Sequence, residues 1–339
     1  MPEQVSSRAV IAMAVPFAIV SFVFVAINAF TQHAPKAHGL RVAYVGSPFA
    51  QPHIQAGLDK AAPGAFELRS YASAASARSA VLERKVYGAF VQRDGSSSLL
   101  LTAGAAGIGA QQAIEHAFTA MVTHAPAGMR QKLLSEDLRP LPANDSRGLS
   151  SSAFQFGLLV PSFVFGILLF IFGRGAALTH RLLSIGVFVL VSALVAALAV
   201  GPLIGALAGH FWALFAIGAL FSAAAVLVTY GLEAVLGFAG TGIAAFVLIL
   251  IGNSTAGGGS NQEFLPNVFR QIGQALPSGA FVRFVRNTVY FDGNHTRGAL
   301  LVIAAWAAAG LALVFVADPL RAWLKRPREA FEPVEKSVG

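Results

Sequence analysis

The most regular feature of the chain is a series of long apolar runs. A helix needs about 20 mostly apolar residues to cross the hydrocarbon core of a bilayer. Runs of about that length occupy Ala9–Phe30, Ala153–Gly173, Leu182–Gly201, Phe211–Tyr230, Ala234–Ile251 and Gly298–Ala317. The pattern therefore predicts a polytopic α-helical membrane protein with six transmembrane helices. The first run exceeds the apolar core of a signal peptide, about 7–15 residues, so we interpret it as an uncleaved anchor.

The stretch between the first and second runs follows a different pattern, that of an α/β domain. Short apolar runs bounded by turn residues predict strands, and apolar residues at helical spacing predict helices. The predicted strands are Leu40–Val45, Phe66–Tyr71, Val86–Gln92 and Ser98–Thr102, and the predicted helices are Ile54–Ala61, Ala74–Lys85 and Ile108–Val122. Because strands alternate with helices, we expect one compact α/β domain over residues 31–152. Leu138–Ser152 is interpreted as its linker to the membrane.

The connection between the fifth and sixth runs, residues 252–297, is polar and rich in glycine and proline. It contains two amphipathic segments, Glu263–Ala275 and Ser278–Tyr290, each too short to cross a bilayer. Two interpretations stay open: an exterior loop with an interfacial helix pair, or a re-entrant helical hairpin that lines the outer mouth of a pathway. For the hairpin, we expect an outer gate formed by Asn253, Gly257, Gly258, Glu263, Pro266, Pro277, Arg283, Arg286 and Tyr290.

Composition and charge agree with a membrane protein and predict its orientation. Charged residues are 12% of the chain, against about 25% in a soluble domain, and the mean hydropathy is +0.66. Lys and Arg are enriched on the cytoplasmic side of membrane proteins. The flanks that carry them are Arg8, Arg174, Arg181 and Arg321–Arg328, whereas the short turn Pro202–His210 has none. We therefore expect both termini in the cytoplasm and residues 31–152 outside. The excess positive charge favours contact with membrane lipid, and no basic–aromatic patch indicates nucleic acid.

The sequence lacks the residue patterns of catalysis, so we expect no enzyme activity, cofactor or metal in this chain. No Gly-rich loop of the G-x-x-x-x-G-K-[ST] type is present, and His116 and His124 lack the spacing of a zinc site, which favours surface histidines. Gly252–Ala256 lacks the final glycine of a nucleophile elbow. Glu136, Asp137 and Asp145 are interpreted as solvent-facing linker charges, and the absence of cysteine excludes disulfides.

Two further patterns concern the membrane region. Gly201, Gly205 and Gly209 are spaced by four, which indicates either close helix packing or a turn. Glu233 is expected to begin the fifth crossing, where it either caps the helix or pairs with an arginine. The sequence therefore predicts five segments in order. They are the anchor helix (residues 1–30), the extracytoplasmic α/β domain (31–152), the second to fifth crossings (153–251), the outer hairpin (252–297), and the sixth crossing with a basic cytoplasmic tail (298–339).

Residues 252–293 also resemble a known family. The run GNSTAGGG, followed by LP, LPSGAFVRFVRN and YFDG, resembles the same connection in ABC type-2 permeases of the phage-infection-protein-like branch. YGAF followed by LLLTAGAAG resembles the ectodomain of that family. The resemblance implies a permease of the bacterial plasma membrane that exports a hydrophobic or amphipathic compound. It also implies a homodimer or a pair with a paralogous permease, and a separate ABC ATPase subunit that binds the ATP.

The same resemblance assigns ATPase coupling to the loop with Arg174, His180 and Arg181, for which a plain basic inner loop is the alternative. For the whole protein, the alternative function is a non-transporting membrane scaffold or surface receptor whose ectodomain binds an envelope component.

Overall fold

The structure is a computed structural model that describes residues 22, 25–26, 37–93, 97–124, 131–173, 175–258 and 262–324, with side chains up to residue 320. The predicted anchor Ala9–Phe30 lies outside the described residues except for three positions, and Arg174 and the basic tail beyond residue 324 also lie outside them. The first crossing therefore stays a prediction.

The N-terminal part is an α/β domain built on one five-stranded sheet. The strands are β1 Leu40–Val45, β2 Phe66–Ser70, β3 Gly88–Gln92, β4 Ser97–Thr102 and β5 Lys132–Asp137. Their order in the sheet is β2-β1-β3-β4-β5. Strand β1 pairs in parallel with β2 and β3, β3 is antiparallel to β4, and β4 is parallel to β5. The helices are α1 Gln51–Ala61, α2 Ala74–Leu82 and α3 Ile108–Thr123. The first four strands and all three helices occur where the sequence predicts them.

The core of this domain is aromatic. The ring of Phe118 in α3 stacks on Phe90 of β3 with centroids 4.9 Å apart, and it meets the edge of Phe66 of β2 at 6.4 Å. All three rings are buried. Helix α3 is thereby fixed against the sheet across three strands.

Strand β5 is the element that the sequence did not predict, and it contains two of the three acidic residues that were interpreted as linker charges. Glu136 lies in β5 and pairs with Arg78 at 2.7 Å, so the Arg78 hydrogen bond lowers the pKa of Glu136. Asp137 accepts hydrogen bonds from the backbone N–H of Gly104 at 3.1 Å and of Arg139 at 3.0 Å. Asp145 is buried. The expectation of three solvent-facing linker charges is therefore wrong for Asp137 and Asp145.

Four helices in the described residues are long and apolar enough to cross a membrane. They are α4 Ser150–Phe172, α5 Leu178–Leu198 with its extension to Leu203, α6 Phe211–Leu236 and α10 Thr296–Leu324. The predicted fifth crossing is instead a shorter apolar helix, α7, over Phe238–Ser254. Between α7 and α10 lie two short helices, α8 Asn267–Ala275 and α9 Pro277–Tyr290. The described chain therefore supports a multi-pass membrane protein with four such helices, and six crossings stay a prediction.

The boundary between α6 and α7 differs from the prediction because a glycine, not a loss of hydrophobicity, ends α6. Gly237 adopts φ 66° and ψ −147°, a conformation that suits glycine and stops the helix. Glu233 therefore does not begin a new crossing. It lies fully buried in the last turn of α6 and accepts a hydrogen bond from the Thr241 hydroxyl at 2.5 Å.

Helix α6 is the centre of the bundle, and glycines bring α10 close to it. A Cβ atom on Gly310 of α10 would lie 2.6 Å from the backbone N of Val228, and one on Gly231 of α6 would lie 2.8 Å from Leu313 Cβ. Only glycine fits such a crossing. The spaced glycines after α5 act differently: Gly205 and Gly209 have positive φ and form a turn.

Candidate functional site

Helices α8 and α9 form a tight hairpin. A single residue, Leu276, separates them, and Pro277 occupies the first position of α9, where proline costs no hydrogen bond. Pro266 likewise directly precedes α8. A Cβ on Gly279 would lie 2.0 Å from the carbonyl oxygen of Gly273, so the two helices touch through their backbones. The amphipathic segments predicted from sequence are thus confirmed as helices, except that α8 begins at Asn267 instead of Glu263.

Helix α9 is buried inside the bundle of long helices. The Phe281 ring is fully buried, with its centroid 4.6 Å from that of Phe221 in α6 and 5.1 Å from that of Phe154 in α4. At the start of α9, Ser278 accepts a hydrogen bond from the side-chain amide of Gln155 in α4 at 3.1 Å. A short helix with both apolar and polar buried contacts therefore fills the space between α4 and α6.

Helix α8 differs from α9 because it exposes apolar side chains. Val268 is 66% exposed and Ala275 is also exposed. Helical spacing in the sequence predicts Phe264 on the same face as Val268 and Ala275, but Phe264 precedes α8 and packs into the core of the α/β domain. The C-terminal end of α8 is held by Trp306 of α10, whose indole N–H donates to the carbonyl of Ala275 at 2.9 Å.

The α/β domain binds the start of the hairpin segment through Glu263. The Tyr87 hydroxyl donates a hydrogen bond to the Glu263 carboxylate, and the backbone N–H of His38 donates to the Glu263 carbonyl at 3.0 Å. Burial, and then the negative charge of Glu263, raise the pKa of Tyr87 above its ordinary range. Tyr87 therefore remains a hydrogen-bond donor at neutral pH.

The domain also holds the end of the hairpin. The Arg84 guanidinium donates to the side-chain carbonyl of Asn287 and lies 5.6 Å from the centre of the Phe291 ring. Arg139 and Asp292 form an ion pair at 2.5 Å. These contacts fix the hairpin to the domain at both ends.

Asp145 connects the domain, the hairpin and the first long helix. Its Oδ1 accepts hydrogen bonds from the backbone N–H groups of Leu149 and Ser150 at 2.9 and 3.0 Å, at the start of α4. Its Oδ2 accepts one from the Tyr290 hydroxyl at 3.2 Å. A carboxylate at a helix N-terminus is favourable because it satisfies free N–H groups and opposes the positive end of the helix dipole.

A cavity of about 650 Å³ lies between the α/β domain and the hairpin. We call it the cationic cavity because six Lys and Arg side chains line it: Arg41, Arg69, Arg84 and Lys85 from the domain, and Arg283 and Arg286 from α9. Among the described residues that line it, Glu263 supplies the one carboxylate. The cavity therefore carries a strong excess of positive charge.

The two arginines of α9 obtain only neutral partners. Arg286 is 7% exposed and donates to the backbone carbonyls of Gly148 and Gly258 at 3.0 Å and of Gly257 at 3.4 Å. Arg283 donates to the Gln274 carbonyl at 3.0 Å, and its buried Nε has no hydrogen-bond partner among the described residues. Neither charge is neutralised by an ion pair within the described chain.

The residues predicted for the outer gate divide into two groups. Gly257, Glu263, Arg283 and Arg286 line the cationic cavity. The others hold the surrounding backbone: Gly258 packs against Ser152, Tyr290 binds Asp145, Pro266 and Pro277 begin helices, and Asn253 lies in the last turn of α7. The structure thus brings four of the nine together.

The residues predicted for ATPase coupling are not equivalent. His180 is exposed in the first turn of α5, and Arg174 lies outside the described residues. Arg181 is buried and donates to the Tyr230 hydroxyl of α6 at 2.6 Å and to Asp318 of α10 at 2.5 Å. Arg181 therefore connects three long helices. Its predicted coupling role stays a prediction.

Sequence reasoning missed the four basic residues that the α/β domain contributes to the cavity. A usable signal exists in the sheet: the register aligns Arg41 with Glu67, two residues before Arg69, so Arg41 and Arg69 share one face of neighbouring strands. Arg84 and Lys85 directly follow α2. These positions are far apart in sequence, and only the pairing of the strands shows that they converge.

The chain matches no protein-family model, no curated protein and no solved structure. Its class therefore rests on the described geometry: a mostly helical protein with four helices long and apolar enough to cross a membrane, and an α/β domain fixed to a helical hairpin whose second helix is buried. In the described residues, no group of three or more His, Asp or Glu side chains is placed to bind a metal ion.

Proposed function

We propose that the chain is the membrane-spanning permease subunit of an exporter, with the hairpin α8–α9 as a re-entrant element at the outer mouth of its pathway. The observation that carries the proposal is the burial of Phe281 against Phe221. Phe221 is ten residues from the start of α6, which corresponds to about 15 Å along the helix at 1.5 Å per residue. Phe281 also contacts Phe154, which is four residues, or about 6 Å, from the start of α4. Against a hydrocarbon core about 30 Å thick, the two contacts support partial insertion of α9, by about 6–15 Å from the starts of these helices.

Polar groups along α9 support a pathway in addition to simple packing. Ser278 and Gln155 are buried among the apolar side chains of the bundle, and Arg286 follows two turns later on α9. Polar groups and irregular backbone at membrane depth are tolerated where they line a protein-enclosed or water-filled space. A route from the bundle past α9 to the cationic cavity would meet these groups in order.

The proposed orientation follows from the charges. It places the α/β domain outside, the Arg181 end of the bundle in the cytoplasm, and both termini in the cytoplasm. The family resemblance of residues 252–293 adds a separate ABC ATPase, a second permease copy and outward movement of a hydrophobic or amphipathic compound. Because Arg181 is buried, exposed His180 is the better candidate to contact that ATPase.

The depth of the hairpin is directly testable because the chain contains no cysteine. Single cysteines at Ala275, Leu190 and Phe49 would be labelled with an environment-sensitive fluorophore in the reconstituted protein. Ala275 is exposed at the bend of the hairpin, Leu190 is 54% exposed on α5, and Phe49 is 88% exposed on the α/β domain. We expect lipids brominated on the acyl chains to quench the labels at Ala275 and Leu190, but not at Phe49. An Ala275 label that behaves like the Phe49 label would contradict the re-entrant hairpin.

The energy source is tested separately. Gentle isolation of the full chain from its native membrane should recover an ATP-hydrolysing partner, and His180→Ala should weaken that association without changing the thermal stability of the chain. A protein that only anchors its α/β domain would be isolated in several detergents without any such activity. That outcome would contradict the exporter.

A further inference from the structure

We propose that the cationic cavity is a binding site for a phosphate-bearing anion, and that an anionic amphiphile presents this group with its chains directed along α10. The inference rests on the proposed function in one respect, because it names the chemical class of the transported compound. The binding site itself is argued from charge, hydrogen bonding, volume and the position of the cavity.

The charge of the cavity favours an anion. Six Lys and Arg side chains face one carboxylate, and that carboxylate already accepts the hydrogen bond of Tyr87. Arg69 and Lys85 have acidic neighbours, Glu67 at 2.9 Å and Glu83 at 2.5 Å, but neither of these lines the cavity. Arg41 has no ion-pair partner among the described residues. A cavity with this balance attracts anions from its surroundings.

The buried guanidinium groups of α9 lack charged hydrogen-bond acceptors within the described chain. Burying a guanidinium is costly unless it is paired, and Arg286 is buried with only neutral carbonyl acceptors. Arg283 keeps a buried Nε donor without a partner in the described structure. Arginine is suited to phosphate because its planar fork donates two parallel hydrogen bonds to adjacent oxygens. An anion in the cavity would supply the missing acceptors and neutralise several charges at once.

The volume of the cavity and its position beside α10 fit an amphiphile. A volume of about 650 Å³ is typical of sites for small organic ligands, and it far exceeds the space that one inorganic phosphate needs. The wall opposite the domain is formed by Gly298, Ala299 and Val302, in the first two turns of α10. Leu301, about 100° around α10 from the centre of this wall, is an exposed apolar residue on its flank. A headgroup in the cavity can therefore leave its acyl chains on the apolar surface of α10.

The test is ligand binding by the detergent-solubilised full chain, measured by calorimetry with three probes. Dihexanoyl phosphatidylglycerol carries an anionic headgroup, dihexanoyl phosphatidylcholine has the same chains without net charge, and inorganic pyrophosphate is an anion without chains. We expect phosphatidylglycerol to bind at least about tenfold more tightly than phosphatidylcholine, since each unmatched charged hydrogen bond is worth about a factor of ten. Pyrophosphate binding with no lipid binding would assign the site to a soluble phosphate compound.

Variants localise the binding to the cavity. The double variant Arg41→Gln/Arg283→Gln should weaken binding of the anionic probes at least about tenfold. The matched control is Arg297→Gln, because Arg297 is exposed near the cavity but does not line it, and this variant should bind normally. Thermal unfolding of each variant checks that it is folded. Equal binding of the two lipids, or equal binding by the double variant and the wild type, would overturn the proposal.

A second variant separates the lipid from the free anion. Gly298 has open space at its Cβ position, so Gly298→Leu adds bulk at the α10 wall without removing any cation. We expect weaker lipid binding and unchanged pyrophosphate binding. None of these measurements requires an ATPase or transport. Their failure would leave the exporter standing, and the absence of an ATPase partner would leave the anion site standing.

Discussion

The indole N–H of Trp306 donates a hydrogen bond to the backbone carbonyl of Ala275 at 2.9 Å, which joins the end of α8 to α10. Trp306 is ten residues from the start of α10, so the attachment lies about 15 Å along that helix. The bend of the hairpin is thus held well inside the length of the last long helix. Several measurable consequences follow from this and from the neighbouring contacts.

Replacing Trp306 by Phe removes the hydrogen bond but keeps an aromatic ring. We expect a loss of about 1 kcal/mol of local stability, because one hydrogen bond to a backbone carbonyl is lost. Hydrogen–deuterium exchange should accelerate in α8, over Asn267–Ala275, while the exchange of the α/β sheet stays unchanged. Trp212→Phe, at an exposed tryptophan of α6, is the control. Unchanged exchange in α8 would show that the attachment does not hold the hairpin.

Tyr87→Phe removes the hydroxyl that binds Glu263 while the ring stays buried. A hydrogen bond to a charged group is worth about 1.5–3 kcal/mol, so we expect a loss of that size in the free energy of unfolding at neutral pH. Tyr71→Phe, at another tyrosine lining the cationic cavity, is the control. A loss as small as that of the Tyr71 variant would mean that the Glu263 contact carries little energy.

The same contact makes a prediction about alkaline pH. Because the folded protein raises the pKa of Tyr87, the stabilisation is complete below the ordinary tyrosine value of about 10 and is lost as the pH rises above it. The stability difference between wild type and Tyr87→Phe should therefore be constant from pH 7 to about pH 9 and shrink above pH 10. Chemical denaturation across this range measures it, and a difference that grows with pH would contradict the assignment.

Gly310→Ala should separate α6 from α10, because the added Cβ would lie 2.6 Å from the backbone N of Val228. Overpacking of this kind costs about 1–3 kcal/mol. Gly186→Ala in α5 is the matched control, since its Cβ position has no atom within 4 Å. Thermal unfolding followed by size-exclusion chromatography should show a lower midpoint for Gly310→Ala alone. Equal midpoints would place the two helices further apart than described.

Arg181→Met should destabilise the bundle, because it leaves the Asp318 carboxylate and the Tyr230 hydroxyl without their shared donor. Removing one partner of a buried ion pair costs about 3–5 kcal/mol, and the partial exposure of Asp318 reduces that cost. The double variant Arg181→Met/Asp318→Asn should recover part of the loss. His180→Ala changes the adjacent exposed residue and should have no effect on unfolding. Equal stability of the two single variants would contradict the structural role of Arg181.

The hydropathy pattern located the membrane region well because a helix that crosses a bilayer must be apolar over about 20 residues, and such a run is visible in the sequence. It failed between α6 and α7, where Leu236 and Phe238 are apolar on both sides of the glycine that ends the helix. A backbone conformation that only glycine adopts readily leaves no mark on a hydropathy profile. The same reason explains why Glu233 was assigned to the wrong helix.

The four strands that carry buried residues were predictable, and the one that carries none was not. Strand β1 has four of six residues buried and coincides with its predicted range, whereas β5 has four of six residues exposed and none buried, and it forms an edge. Two of the six cationic side chains of the candidate site were predicted from the sequence, and four were not. Arg283 and Arg286 lie in a single segment, whereas Arg41 and Arg84 reach the cavity only through the pairing of β1 with its neighbours.

The α/β domain holds the hairpin at two places, through Tyr87 at Glu263 and through Arg84 and Arg139 at Asn287 and Asp292. Both ends of the segment that carries α8 and α9 are therefore attached to one domain. Any displacement of the hairpin relative to the long helices must carry the α/β domain with it or break several contacts of charged side chains together. A molecule or antibody fragment that binds the domain and holds it in place would therefore restrain helices that lie far from its own binding surface.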